Sequence, residues 1–317
     1  KTFSNPHCFG IVLTTMTQQI SFQHLLNVAQ LTSDDIDYLI QTALTLKQSK
    51  HPTLNLPRST ILATLFFEPS TRTRFSFEAA MLKLGGSYIN LEQGNSSSIA
   101  KGESLEDMGK IMSSYADIIV MRHPEKGSVD RFSSTASVPV INGGDGANEH
   151  PTQALTDIMT LYESHQRLDN LTIGFWGDLK YSRTVNSLID ILSRYPNNRF
   201  YFISTPDLSI NTHTQTQLTK KEIPFECSDN LTPILPQLDS LYVTRTQTER
   251  SSNTNTLDPL TKVSLSKLPK QCSILHPLPR VSELSPDIDT LPNARYFEQS
   301  KNGVYIRMAL IESLLTP

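Results

Sequence analysis

Residues 60–86 read TILATLFFEPSTRTRFSFEAAMLKLGG and contain the pattern that decides the fold. The run from Thr60 to Phe67 is short and apolar, which predicts a buried strand. Beyond a polar turn, Phe75, Ala79 and Leu82 share one face of a helix that ends at a Gly-Gly pair. A strand followed by a helix is the first part of a βαβ unit, so this stretch indicates an α/β protein.

The same alternation of strands and helices continues along the chain. Further strands are predicted at Ala116 to Met121, Val138 to Asn142, Leu171 to Trp176, Arg199 to Ser204, Leu241 to Thr244 and Ser273 to Leu275. Strands joined by helical crossovers form mostly parallel sheets with helices on their faces. We therefore predict two lobes, each a mostly parallel sheet flanked by helices, with the active site in the cleft between them.

The length of 317 residues agrees with two lobes, since domains of about 150 residues are common. Two stretches, Ser209 to Thr219 and Thr246 to Leu260, are rich in Thr, Ser, Asn and Gln. We expect the second stretch to be a mobile loop.

Composition argues against several classes of protein. No apolar run approaches the ~20 residues that cross a bilayer, and the first residues lack the pattern of a signal peptide, so neither a membrane partner nor export is expected. Cys8, Cys227 and Cys272 are far apart, which argues against a disulfide framework and a metal site and agrees with a cytoplasmic location. A net charge of -3 does not favour nucleic acid as a partner.

Candidate site residues follow the predicted strands, because ligands of open parallel sheets bind beyond the carboxyl ends of the strands. Arginines and hydroxyl groups recur there in both halves of the chain. They lie in Glu68 to Arg74, Arg122 to Pro124, Gly143 to Gln153, Gly177 to Thr184, Arg245 to Gln247 and His276 to Arg280. Any bound anion would be held by these local arginines.

The segment Ser70-Thr71-Arg72-Thr73 is typical of a phosphate site. It lies where a strand turns into a helix, so backbone N–H groups, three hydroxyls and a guanidinium surround one point. The alternative is an ordinary helix N-cap, which needs only one Ser or Thr. The spacing is not that of a Walker loop, and Gly174 to Asp178 lacks Gly-x-Gly-x-x-Gly, so no nucleotide cofactor is expected.

Two motifs carry a resemblance to a known family. Phe67 to Arg74 and His150-Pro151-Thr152-Gln153 resemble the two signatures of the aspartate and ornithine carbamoyltransferases. The match extends over nearly the whole chain beyond the first ~20 residues, through Arg122, Arg183, Arg245-x-Gln247 and His276-Pro277-Leu278-Pro279. The resemblance implies an enzyme that transfers the carbamoyl group of carbamoyl phosphate to an amino acid.

The later motifs favour aspartate as the acceptor. Ornithine enzymes typically carry Ser-Met-Gly and His-Cys-Leu-Pro, which this chain lacks, whereas Arg245-Thr246-Gln247 supplies donors for a carboxylate. The expected products are N-carbamoyl-L-aspartate and phosphate, an early step of pyrimidine biosynthesis. Two alternatives stay open: a sister carbamoyltransferase for another amino acid, and a catalytically silent homologue that acts as a scaffold.

Roles for single residues are implied by the same resemblance. The carbamoyl phosphate site would comprise Ser70, Thr71, Arg72, Thr73, Arg122, His150, Gln153 and the carbonyls of Pro277 and Leu278. Of these, Thr73, Arg122 and His150 would be catalytic and form the oxyanion site. The Leu278–Pro279 bond would be cis. Aspartate would be held by Arg183 at its α-carboxylate and by Arg245 and Gln247 at its β-carboxylate.

The resemblance also implies an assembly. Ser97 and Lys101 would enter the site of a neighbouring subunit, which requires a homotrimer with shared active sites. Glu68 would link the lobes through Arg183 and Arg250. Each of these roles has a structural alternative. Glu68 and Arg250 could instead form surface salt bridges, and His150 could be a hydrogen-bonded loop residue. The segment around Ser97 could be a solvated loop.

The predicted domains are an N-terminal extension at 1–18, a carbamoyl-phosphate-binding domain at 19–150 completed by a helix at 303–317, and an aspartate-binding domain at 151–302. Some relatives pair with a zinc-containing regulatory chain, and the sequence does not decide whether this protein does. The segment 251–257 is shorter and more polar than the closure loop of allosteric members, which puts regulation through it in doubt.

Overall fold

The computed structural model describes residues 20–49, 56–92, 102–146, 148–245 and 257–316. They form two fully parallel sheets. The first has the order β2-β1-β3-β4 and consists of β1 (Ile61–Phe66), β2 (Ser87–Glu92), β3 (Ile118–His123) and β4 (Val140–Asp145). The second has the order β7-β6-β5-β8-β9 and consists of β5 (Thr172–Gly177), β6 (Arg199–Ile203), β7 (Phe225–Ser228), β8 (Ser240–Thr244) and β9 (Ser273–Leu275). The predicted α/β class with two parallel sheets is confirmed.

Helices connect and flank the strands. Their bounds are α1 (Ser33–Gln48), α2 (Thr71–Lys83), α3 (Leu105–Met112), α4 (Ser128–Ser133), α5 (Pro151–His165), α6 (Arg183–Leu192), α7 (Thr212–Lys220) and α8 (Tyr296–Leu315). Several begin with a side-chain cap: Thr32 accepts from the Asp35 amide, Ser104 from Asp107, and Asn211 from Thr214. Within the described ranges, no helix is both long and apolar enough to span a membrane.

Strands β1, β3, β4 and β5 are buried because their apolar side chains pack on both faces of the sheets. In the second sheet the rings of Phe175 and Phe202 stack with centroids 5.5 Å apart, and Tyr242 is fully buried beside them. Thr64 is a polar exception on β1, where its hydroxyl donates to Glu78 of α2 at 3.2 Å. Burial on both faces holds these strands in place in their sheets. The residues that follow them therefore lie at defined positions at the carboxyl end of each sheet.

The elements that were not predicted include β2, β7 and α7. The strands β2 and β7 are edge strands, with polar or partly exposed side chains that give little apolar signal. The helix α7 overlaps the polar stretch 209–219, and Leu218 is its one buried residue. The predicted helix after β1 is present, but Phe75 and Leu82 on its apolar face are 53% and 55% exposed.

The helix α8 follows the second sheet in sequence but packs against helices of the first half. Lys47 of α1 forms ion pairs with Glu298 of α8 and Glu163 of α5, and it donates to Asn302 at 2.8 Å. The guanidinium of Arg307 lies 4.9 Å from the ring centroid of Phe77 on α2. The end of the chain therefore braces the helix that begins at the candidate phosphate site.

Candidate active site

A cleft of about 800 Å³ opens at the carboxyl ends of strands from both sheets. It contains every predicted site residue that the structure describes: Glu68, Ser70, Thr71, Arg72, Thr73, Arg122, His150, Gln153, Arg183, Arg245, Pro277 and Leu278. The other four, Ser97, Lys101, Gln247 and Arg250, lie outside the described residues, as do the extension at 1–18 and most of the predicted mobile loop. The chain thus gathers residues from positions 68 to 278 into one site.

Three helices begin at the cleft without a side-chain cap. Ser70, His150 and Ser182 are the N-cap residues of α2, α5 and α6, and none of their side chains makes a cap hydrogen bond. This differs from α1, α3 and α7, whose caps are formed. Since a helix N-terminus attracts negative charge, the three uncapped ends favour an anionic ligand. For Ser70 this argues against the ordinary N-cap alternative.

Arg122 lies at the centre of the cleft and is buried. Its Nη2 is 3.3 Å from Glu68 Oε1, and its Nη1 donates to the carbonyl oxygen of Gly143 at 3.3 Å and faces His150 Nε2 at 3.5 Å. The contact with Glu68 was not expected from the resemblance, which linked Glu68 to Arg183 and Arg250. These contacts hold the guanidinium in one orientation beside the phosphate-type loop.

Arg122 and Arg183 approach each other at Gly144. A Cβ atom on Gly144 would lie 3.1 Å from Arg122 Nη1 and 3.2 Å from Arg183 Nη2, and the φ of Gly144 is +120°. Its amide is fixed by donation to Asn142 Oδ1 at 2.7 Å. Arg183 also donates to the carbonyl oxygen of Gly146. The missing side chain of Gly144, near the end of β4, therefore leaves room for the two guanidinium groups.

His150 is held as a neutral imidazole. Burial lowers its pKa well below the ordinary value of 6.5, and the charges of Arg183, Arg122 and Arg307 lower it further. Because a guanidinium only donates, Nε2 accepts from Arg122 and the proton lies on Nδ1. Nδ1 has no hydrogen-bond partner among the described residues. His150 thus has a buried ring nitrogen without a side-chain or backbone partner among the described residues, which favours the functional interpretation over that of a hydrogen-bonded loop residue.

A second imidazole shapes the segment after β9. His276 Nδ1 accepts from the Leu278 amide at 2.8 Å, and Nε2 is 2.8 Å from Glu283 Oε1, so the proton lies on Nε2. Burial lowers the pKa of His276, and the hydrogen bond to Glu283 opposes that effect. The Leu278–Pro279 bond is cis, as expected. The turn at 277–278 is thereby fixed at the cleft wall.

The cleft is rich in positive charge. Its arginines are Arg72, Arg122, Arg183, Arg245 and Arg307, whereas Glu68 is the one carboxylate among its described lining residues. Burial lowers the pKa of Arg72, and the charge of Arg245 adds to that shift. Such a group of cations is costly unless anions bind between them. The described residues contain no group of three or more His, Cys, Asp or Glu side chains that could hold a metal ion.

Three polar residues at the cleft were missed. Arg307 and Gln299 of α8 line it, and Asp157 of α5 lies directly behind Gln153. Arg307 donates to the Gly303 carbonyl at 2.8 Å, and burial lowers its pKa to about 10. One signal was present, because a charged residue on an otherwise apolar helix face, such as Arg307 between Ile306 and Met308, is rarely buried without a partner.

The chain is similar to known proteins over both of its halves. Residues 23–163 match the family model described as "Aspartate/ornithine carbamoyltransferase, carbamoyl-P binding domain", and residues 169–314 match the "Asp/Orn binding domain" of the same family. The chain is 43% identical over 298 residues to the aspartate carbamoyltransferase catalytic subunit of Chromobacterium violaceum, covering 92% of this chain and 98% of that one. It is 41% identical over 307 residues to the corresponding subunit of Vibrio cholerae, and that alignment covers 95% of this chain and 99% of the other.

Solved structures are similar over the same span. The catalytic subunit of M. jannaschii aspartate transcarbamoylase superimposes with a TM-score of 0.86 at 40% identity, covering 93% of this chain and 98% of that one. The Trypanosoma cruzi aspartate transcarbamoylase in complex with carbamoyl phosphate and aspartate superimposes with a TM-score of 0.87 at 34% identity. This superposition covers 92% of this chain and 97% of that one. With both domain models matched in order and relatives aligned over almost their full length, the chain belongs to the aspartate/ornithine carbamoyltransferase family.

Proposed function

We propose that this protein is an aspartate carbamoyltransferase, which transfers the carbamoyl group of carbamoyl phosphate to the α-amino group of L-aspartate. The observation that carries the proposal is the composition of a single cleft. The loop 70–73 at the uncapped start of α2 and the arginines Arg183 and Arg245 from the second half of the chain line the same cleft. An anionic donor and a dicarboxylate acceptor fit these two groups of cations.

The carbamoyl phosphate site is built on the first sheet. Ser70, Thr71, Arg72 and Thr73 hold the phosphate with the N-terminus of α2, and Arg122 reaches both phosphate and carbonyl oxygen. The neutral His150 donates to the carbonyl, so that Thr73, Arg122 and His150 stabilise the oxyanion. Gln153 and the carbonyls of Pro277 and Leu278 receive the carbamoyl nitrogen. Loss of one oxyanion donor costs about 10²–10³ in rate.

The aspartate site is built on the second sheet. Arg183 at the start of α6 takes the α-carboxylate, and Arg245 after β8 takes the β-carboxylate together with Gln247. The neutral α-amine then attacks the carbonyl carbon and a tetrahedral oxyanion forms. Phosphate departs with the electron pair of the broken C–O bond and takes up the proton that the amine nitrogen loses. This scheme needs no covalent nucleophile or cofactor, because positioning and charge stabilisation lower the barrier.

The test is a product assay. Purified protein receives carbamoyl phosphate with L-aspartate or, in parallel, L-ornithine, and carbamoyl amino acid and phosphate are quantified. We expect carbamoyl aspartate alone, with equal phosphate. Citrulline as the main product would move the protein to the sister enzymes. No product from folded protein would favour the silent scaffold.

We also propose a homotrimer with shared active sites. Six large apolar side chains are exposed in the first half of the chain, on α2, the edge strand β2, α3 and the turn that follows it: Phe75, Leu82, Tyr88, Ile89, Ile111 and Tyr115. Exposed apolar surface of this extent is typical of a subunit interface. Ser97 and Lys101 belong to the connection between β2 and α3 and would reach the neighbouring site.

Two measurements test the trimer. Leu82→Asp should reduce the mass found by light scattering to that of a monomer, whereas Val263→Asp, a charge at an apolar site of the second half that is 80% exposed, should leave a trimer. Mixing inactive Arg72→Ala with inactive Lys101→Ala should restore activity, because hybrid trimers contain sites with both native residues. Unchanged mass for Leu82→Asp, or no restoration, would contradict the shared site.

Three further points belong to the same proposal. Residues 19–150 would form the first domain, supported by the packing of α8 on α1 and α2, and residues 151–302 the second. Glu68 and Arg250 would act in lobe closure. A cytoplasmic location is supported by the free thiols of Cys227 and Cys272. Co-purification and zinc analysis would establish whether a regulatory chain accompanies the trimer.

A further inference from the structure

Asp157 is a buried carboxylate next to the site that the proposed reaction does not use. It lies on α5 behind the cleft wall and is fully buried. Its Oδ1 accepts from Gln153 Nε2 at 2.7 Å and from Gln299 Nε2 at 2.7 Å, and its Oδ2 accepts from the Tyr242 hydroxyl at 2.9 Å. Three donors from three elements, α5, α8 and β8, thus converge on one carboxylate.

These hydrogen bonds fix the direction of the Gln153 amide. A side-chain amide has one donating and one accepting end, and turning it over exchanges them. Because Oδ1 of Asp157 only accepts, Gln153 must direct Nε2 towards it. The carbonyl end, Oε1, is then left for the cleft that Gln153 lines. An acceptor at this position suits the N–H groups of a carbamoyl nitrogen.

The same carboxylate is linked to the other wall of the pocket. Gln299 donates to Asp157 and accepts from the His276 amide at 2.9 Å. His276 in turn accepts from the Leu278 amide. Pro277 and Leu278 therefore lie in a turn that the network anchors at two points. The two groups assigned to the carbamoyl nitrogen, Gln153 and the carbonyls of this turn, share one chain of hydrogen bonds.

We propose that Asp157 is a positioning residue that makes the carbamoyl-nitrogen pocket accept hydrogen bonds and so selects an NH₂ group over a methyl group of the same size. This inference rests on the proposed function. Its consequence is discrimination between carbamoyl phosphate and acetyl phosphate, which differ by that one group. A site with fixed acceptors leaves them unpaired when a methyl group enters, which is the usual source of strong discrimination.

Protonation of Asp157 does not remove this role. Burial raises the pKa of Asp157 to about 7, so the protonated form is populated near neutral pH. Oδ1 faces two N–H groups, so the proton lies on Oδ2, where the oxygen of Tyr242 accepts it. Asparagine with its nitrogen at the Oδ2 position reproduces this form. Asp157→Asn is therefore the conservative variant that should keep Gln153 in place.

The experiment compares the binding of two stable analogues that differ at one group. Phosphonoacetamide carries an NH₂ on its carbonyl, and 2-oxopropylphosphonate carries a methyl group there. Their dissociation constants are measured by calorimetry for native protein, Asp157→Ala, Asp157→Asn and Tyr242→Phe, with inorganic phosphate as a ligand that probes the phosphate loop alone. Tyr242→Phe is the matched control, because it removes a hydrogen bond to the other oxygen of the same carboxylate.

The expected results are specific. Native protein, Asp157→Asn and Tyr242→Phe should prefer the amide analogue by about tenfold or more, which one or two hydrogen bonds supply. Asp157→Ala should lose most of that preference while its affinity for phosphate stays within about twofold. A purely structural role would instead lower the affinities of all three ligands together, and Tyr242→Phe would share the defect.

Several outcomes would overturn the proposal. These are an unchanged preference in Asp157→Ala, an equal loss in Tyr242→Phe, or native protein that binds both analogues equally. If Asp157→Ala does not fold, Asp157→Thr, which retains one acceptor oxygen at similar volume, takes its place and should lose part of the preference. Because binding needs no turnover, these results are distinguishable from failure of the proposed function, which the product assay reports.

Discussion

Arg72 and Arg245 come from different halves of the chain, yet the charge of Arg245 contributes to lowering the pKa of Arg72 across the cleft. Arg72 lies in the first turn of α2, and Arg245 directly follows β8. Two cations that repel each other without an anion between them are both stabilised when a ligand enters. The two halves of the substrate site are therefore coupled by charge.

This relationship predicts separable effects of the two arginines. Arg245→Ala should raise the KM for aspartate by about 10–100-fold, the range expected when charged hydrogen bonds are lost. The KM for carbamoyl phosphate should change little, because the phosphate loop is intact. Steady-state kinetics with each substrate varied in turn provides the measurement. Because Arg72→Ala is inactive, its reciprocal effect is measured as the binding of inorganic phosphate, which it should weaken and which Arg245→Ala should leave nearly unchanged. Equal changes of both KM values in Arg245→Ala, or equal loss of phosphate binding in both variants, would contradict the assignment.

Gly144 provides a second prediction. Gly144→Ala places a methyl group 3.1 Å from Arg122 Nη1 and 3.2 Å from Arg183 Nη2, so at least one guanidinium must move. We expect kcat to fall by at least about tenfold, since small displacements of positioning groups reduce rates strongly. The measurement is kcat together with the melting temperature.

The control is Gly127→Ala. Gly127 has a φ of +77°, so alanine there also meets backbone strain, although less than at the φ of +120° of Gly144, and no atom of the described residues lies within 4 Å of its Cβ position. It should lose about 1 kcal/mol of stability and keep its activity. Equal activity loss in both variants would attribute the effect to strain and not to the arginines.

His150 gives a prediction about pH. Its folded pKa is well below 6.5, so the unfolded chain binds a proton at this residue where the folded protein does not. Protons therefore favour the unfolded chain. The unfolding free energy is unaffected by His150 above pH 6.5 and decreases as pH falls from 6.5 through the folded pKa. His150→Gln should therefore flatten the pH dependence of the unfolding free energy between about pH 5 and 6.5. Denaturant titrations measure this, and a ring that titrates near 6.5 by NMR would refute it.

Asp157 should give a pH dependence of stability with the opposite sign. Its folded pKa is raised to about 7, so the folded protein binds a proton that the unfolded chain has released above the ordinary value of 3.8. The protonated Asp157 therefore adds to the unfolding free energy. The added stability is complete below pH 3.8 and is lost as pH rises through 7. Native protein should lose up to about 1.4 kcal/mol of stability per pH unit within that window relative to Asp157→Asn. Parallel pH profiles of the two proteins would exclude a raised pKa.

Much of the architecture followed from local sequence. Apolar runs such as Ala116 to Met121 predicted the central strands, because a strand buried on both faces must be apolar throughout. The residues after those strands were then expected to meet at the carboxyl ends of the sheets, and the cleft contains all twelve predicted site residues that the structure describes. The cis bond at Leu278–Pro279 was expected from the resemblance and is present.

What could not be predicted depends on contacts between distant segments. The edge strand β7 is paired on one side alone and needs little apolar sequence. Gln299 and Asp157 are 142 residues apart, and each resembles an ordinary polar residue until α8 packs on α5. The exposure of Phe75 and Leu82 likewise has no local signal, because periodicity defines an apolar face but not what covers it.

The position of α8 has a consequence for how the protein is made. Both sheets leave the ribosome before α8 does, so a growing chain can complete the second sheet while α1 and α2 still lack the helix that braces them. Before α8 is made, the contacts of Arg307 with Phe77 and of Glu298 with Lys47 cannot form. The helix α2, which carries the phosphate loop at its start, then lacks part of its packing. The donor site is therefore completed only after the second sheet has been made, although its loop 70–73 precedes that sheet in the chain.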